Sequence, residues 1–126
     1  MFYECKLPNR FQTNKGWLVT RNDLKLFFNE NMKKFGFNDV EIKDFIEYWI
    51  PVLTEYPYYL IYPQKTDAIS PLVELQISKE PDSIQRLYYL FKGVNTGEIA
   101  NLQEPQISEF TRKGFAVFEW GGIFSE

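Results

Sequence analysis

Histidine is absent from this chain of 126 residues, and cysteine occurs once, at Cys5. The first absence removes the side chain whose unperturbed pKa lies near neutrality and which is the commonest metal ligand. A Ser-His-Asp triad, a Cys-His nucleophile pair, a mixed zinc site and a histidine-held haem are therefore excluded. A single cysteine excludes an intrachain disulfide, a CxxC motif and a thiolate cluster, so Cys5 reads as a small buried hydrophobe near a strand start. Long apolar runs are missing too. Nothing approaches the roughly 18 to 20 residues needed to span a bilayer, and the first residues, Met-Phe-Tyr-Glu-Cys-Lys, lack the basic and apolar stretches of a signal peptide. These features predict a cytoplasmic chain without a transmembrane segment. Nor is there a basic excess. The net charge is −3, from 14 basic and 17 acidic residues, and this argues against a nucleic-acid partner, which needs a concentrated cationic face.

What the chain has in abundance is aromatic rings, 12 Phe, 8 Tyr and 3 Trp, or 18% of its residues. Its length suits one domain, 1–126, able to bury a core without metal or disulfide staples.

Hydrophobic spacing divides the chain into helical and extended stretches. Phe2 to Leu7 alternates, and Gly16 to Thr20 has the aromatic and β-branched content of a strand. From Asp23 to Phe35 the period becomes helical, with Leu24, Phe27, Phe28, Met32 and Phe35 on one stripe. Thr20 and Asp23 supply an N-terminal cap and a first-turn acid, and Gly36 a stop. The second helix signal is clearer. Asn38 and Glu41 have the spacing of a reciprocal capping box, followed by Ile42, Phe45, Ile46, Trp49, Ile50 and Leu53 as a continuous stripe. Pro51 either ends this helix near Trp49 or kinks it for one further turn.

Thereafter the period is two. Segments 56–63, 72–78, 84–91 and 115–120 read as strands, with a turn at 79–83 making 72–91 a hairpin. Residues 92–106 read as a long loop, with a short strand near Ile107. The segment 84–91 is apolar on both faces, which requires cover on both sides. The order predicts an α+β domain: a mainly antiparallel sheet or sandwich-like β layers, with an inserted two-helix hairpin packed on one face.

Three features are candidates for function. Tyr56, Tyr58 and Tyr62 fall on one side of a strand and form a row of rings suited to a sugar or a peptide, although strand aromatics commonly serve the core. Carboxylates are available at Glu47, Glu55, Asp67, Glu74 and Glu119 for acid–base chemistry without histidine. Among them Glu119 stands out, because Phe118 and Trp120 flank it and favour partial desolvation. The Gly121-Gly122 pair reads as a tight exit from the last strand.

The run Gly36-Phe37-Asn38-Asp39, Asp44-Phe45-Ile46-Glu47-Tyr48-Trp49-Ile50-Pro51 and Tyr56-Pro57-Tyr58, with Pro81-Asp82-Ser83 and a closing Gly114-Phe115 to Glu119-Trp120-Gly121-Gly122, resembles a bacterial family of uncharacterised domains. The likeness runs from Gly16 to Gly122. It implies kinship and a shared fold, with no activity attached. Many relatives follow a signal or lipoprotein leader, which implies a cell-surface or secreted setting as the alternative to the cytoplasm. The function best suited to these residues is a non-catalytic binding module that uses aromatic surface for a protein or glycan partner, with no cofactor and no metal. The alternative is a small enzyme using carboxylate, Tyr or Lys groups. Self-association through a sheet edge, giving a homo-oligomer, is a third reading.

Overall fold

The computed structural model describes residues 4–5, 11–65, 83–99, 102–107, 110, 112, 114 and 116–124. The expected strand at 72–78, most of the turn that follows it, and the side chain of Cys5 lie outside these residues. Among the described residues, five strands form one sheet: β1 (Glu4–Cys5), β2 (Trp17–Thr20), β3 (Tyr58–Gln64), β4 (Ser83–Val94) and β5 (Ala116–Phe124). Their order is β1-β5-β4-β3-β2. The α+β class is as the sequence predicts, and the sheet is mixed. The pairs β2/β3 and β3/β4 are antiparallel, whereas β4/β5 and β1/β5 are parallel.

Two helices, α1 (Leu24–Lys34) and α2 (Asp39–Trp49), are inserted between β2 and β3. The cap of α2 forms as its sequence requires: Glu41 N donates to Asn38 Oδ1 at 2.9 Å, and Asn38 N donates to Glu41 Oε1 at 2.8 Å. The start of α1 differs. A 3₁₀ turn at Arg21–Asp23 precedes it, and Thr20 Oγ1 donates to Asp23 Oδ2 at 2.7 Å instead of capping a backbone amide. Gly36 takes φ 95°, the left-handed conformation that closes the connection to α2. After Trp49 the chain makes one more turn despite Pro51, through Leu53 N donating to Trp49 O at 3.0 Å, and this keeps Leu53 on the buried stripe.

The helix hairpin covers one face of the sheet. Leu24, Phe28 and Met32 of α1 and Ile42, Phe45, Ile46 and Trp49 of α2 pack with Val19, Tyr59, Ile61, Leu87, Tyr89, Phe91 and Trp120. The rings meet mostly edge to face. Phe45 lies 5.2 Å from Trp120, 5.5 Å from Tyr89 and 4.9 Å from Phe28, arrangements that match the ring quadrupoles. The opposite face carries Leu60, Tyr62, Tyr88, Leu90 and Ile123, covered in part by Phe11. Thus β4 is buried on both sides, as its composition demands.

One expectation is corrected by the packing. Gly121 and Gly122 lie inside β5 rather than at its exit, because Trp49 of α2 descends directly onto Gly122. A Cβ there would come within 2.3 Å of the indole. Of the short strand expected near Ile107, residues 104–107 carry no strand pairing and residues 108 and 109 lie outside the described residues; an isolated parallel bridge joins Lys15 to Gln103. The close approach gives a first prediction. Gly122→Ala should destabilise the fold by about 1–3 kcal/mol through overpacking, read as a lower urea midpoint at unchanged slope.

Candidate functional site

The expected row of tyrosines does not form an exposed platform. Tyr56 precedes β3, is 37% exposed, lays its ring against Gly93 and meets Tyr59 edge-on at 6.0 Å. Tyr58 opens the strand half-buried, with its phenol beside Gly97. Tyr62 is 8% exposed, within the apolar cluster on the face away from the helices. Alternation places Tyr58 and Tyr62 on one face as expected, but that face is covered at Tyr62.

Glu119 is more deeply desolvated than its neighbours alone suggest, at 1% exposure. The parallel register places it directly beside Arg86. Arg86 Nη2 and Nε each lie 3.0 Å from Glu119 Oε1, and the Tyr88 hydroxyl donates to the same oxygen at 2.6 Å. Burial, then the hydrogen bond to Glu119 and its charge, raise the Tyr88 pKa above the ordinary phenol value. This trio is a buried structural network, and Glu119 lines neither of the clefts described below. Arg86 was the missing partner in the sequence: a guanidinium on an otherwise apolar strand face requires a buried counter-charge. Of the remaining carboxylates, Glu47 pairs with Lys43 on the surface of α2 and Glu55 is exposed, while Asp67 and Glu74 lie outside the described residues.

The better-built concavity lies elsewhere. A cleft of about 420 Å³ lies between α1 and the segment 104–107, and Trp17 of β2 is among the residues that line it. The segment is held at both ends. Gly16 N donates to Gln103 O at 3.0 Å, and Lys65 Nζ to Gln106 O at 2.6 Å. The chain leading to Gly16 is fixed in turn by a two-way clasp, in which Gln12 N donates to Gln64 Oε1 at 2.9 Å and Gln64 Nε2 to Gln12 O at 2.8 Å.

Trp17 and Phe27 supply an aromatic wall, their rings 5.3 Å apart and edge to face. Asn31, one turn further along α1, lines the cleft while only 5% exposed. Its Oδ1 accepts from the Tyr89 hydroxyl at 2.6 Å, and among the described residues no group accepts from its Nδ2. Burial holds the Tyr89 pKa well above the ordinary value, so the phenol keeps its proton and fixes the amide. Glu30, Lys34 and Glu104 stand exposed at the rim, none of them in an ion pair among the described residues. Of these residues only Trp17 and Phe27 stood out in the sequence, as strand and stripe positions. An asparagine in the middle of a helix, where its propensity is poor, was the signal for the rest. A second, more open cleft is lined by Leu18, Gly97, Glu98, Ile99 and Leu102.

Among the described residues no group of three or more His, Cys, Asp or Glu side chains gathers to hold a metal, and no helix is long and apolar enough to cross a membrane. The chain matches no family model, no curated protein and no solved structure.

Two measurements test the polar networks. Glu119→Gln, which leaves Arg86 buried without its counter-charge, should cost roughly 3–5 kcal/mol, whereas the joint Arg86→Met/Glu119→Leu replacement should unfold at nearly the parent denaturant midpoint. Folded-state phenol pKa values raised above the unfolded one stabilise fully below about pH 10. Above it the unfolded chain releases protons that the native state retains, so stability falls as pH rises. A Tm series from pH 8 to 11.5 should decline at its alkaline end, and less steeply for Tyr88→Phe and Tyr89→Phe.

Proposed function

We propose that the protein is a non-catalytic binding module, and that the cleft between α1 and residues 104–107 is where its protein or glycan ligand sits. One observation carries this reading: the buried Asn31 amide, held by Tyr89, has an unspent donor in a cleft with an aromatic wall. Because Asn31 lines the cleft, a hydrogen-bonding ligand can take up that donor in place of water. The volume lies within the range of about 300–1,000 Å³ typical of small-ligand sites. Aromatic surface remains the binding element, with Trp17 and Phe27 taking the part first assigned to Tyr56, Tyr58 and Tyr62. Kinship with the bacterial family of the Asn-Asp helix and Glu-Trp-Gly-Gly strand, a cytoplasmic setting and self-association through an outer strand belong to the same reading.

The enzymatic alternative is favoured by a single feature, the presence of Glu30 and Glu104 on opposite walls of that cleft. It would use the two carboxylates as acid and base.

Titrating a fragment library of ring-bearing polar compounds into ¹⁵N-labelled protein tests the site. Amide shifts should concentrate at residues 17, 27, 30–34, 103, 104, 106 and 107, and Trp17→Ala should abolish them while circular dichroism stays native. Shifts clustered elsewhere, or none at all, would refute the assignment.

A further inference from the structure

Resting on that reading of the cleft, we infer that its ligand is a carbohydrate, a neutral sugar unit recognised through paired hydroxyls and the apolar face of its ring. The cleft offers hydrogen-bonding groups of both kinds within one small space. Asn31 Nδ2 and Lys34 Nζ donate only, whereas the carboxylates of Glu30 and Glu104 accept only. A hydroxyl donates and accepts at a single atom, so neighbouring hydroxyls of one ring satisfy an amide donor and a carboxylate acceptor together. Two carboxylates against one ammonium leave the rim net negative, which disfavours phosphate, sulfate and other anions.

Trp17 supplies the remaining element, a ring against which the C–H face of a sugar can lie. The donor is preset. Tyr89 holds Asn31 Oδ1 at 2.6 Å from within the core, so the amide loses little rotamer freedom when a sugar arrives. Tyr89 therefore acts as a positioning residue, since it reaches the ligand only through Asn31. A peptide is the weaker fit, because it brings isolated donors and acceptors along a backbone rather than vicinal groups that serve both roles at one point.

The test applies the intact chain to an array of neutral oligosaccharides and, in parallel, to a peptide array, with calorimetry on the retained probes. Retention of a neutral glycan is expected, with amide shifts at residues 30–34, 103, 104, 106 and 107. Glu104→Ala, at an exposed rim position, should weaken binding about tenfold with an unchanged Tm. Tyr89→Phe should weaken it several-fold, whereas Tyr88→Phe, a comparable loss of one buried hydroxyl on the other face of the sheet, should leave affinity at the parent value. Retained peptides with cleft shifts and no retained glycan would overturn the sugar assignment and leave the binding site standing. A glycan insensitive to Glu104→Ala would also overturn it. The absence of cleft shifts with every probe would overturn both this inference and the function it rests on. Release of reducing ends from a retained glycan would support the sugar and refute the non-catalytic reading.

Discussion

The descent of Trp49 onto the backbone of Gly122 is the contact on which the rest of the architecture depends. An indole can approach a strand this closely only where the strand lacks a Cβ, and the approach brings α2 down onto β5. From there Phe45 reaches Trp120 and Tyr89, and Trp49 itself reaches Phe91 and Phe124, at 5.1 and 5.6 Å. The short Gly36 connection then leaves α1 little choice but to lie beside α2. Phe28 completes the layer against Phe45 and Phe91. The high aromatic content is thus spent chiefly on one interlocked layer between helices and sheet.

The other face of the sheet works by a different principle. Arg86 and Glu119 are neighbours because β4 and β5 run parallel in a particular register, and a slip of one residue would turn one charge of the pair into the opposite face. Buried charge that is satisfied in one register and orphaned in another penalises the alternatives more than it stabilises the native state. Apolar packing specifies the fold on the helix side, and polar matching specifies strand registry on the far side.

The cleft inherits its shape from both. Its α1 wall is placed by the aromatic layer, and its opposite wall by the chain of contacts from Gln64 through Gln12 and Gly16 to Gln103. Tyr89 links the two roles directly, because its ring packs against Phe28 and Phe45 while its hydroxyl fixes Asn31. Core order is thereby transmitted to a hydrogen-bonding group at the surface of the cleft.

Local rules alone determined the two helices, the reciprocal cap at Asn38 and Glu41, the stop at Gly36 and the two-sided burial of β4. Each depends on residues within a few positions of one another, where periodicity and backbone sterics act without outside help. Tertiary structure decided the parallel pairing of β4 with β5, the placing of Gly122 under Trp49, the burial of Tyr62, and the partnership of Arg86 with Glu119 across 33 positions of sequence. It also decided that Trp17, Asn31 and Glu104 share one cleft. Contacts of that kind depend on which surfaces the long connections bring together, and no spacing within a single segment encodes them.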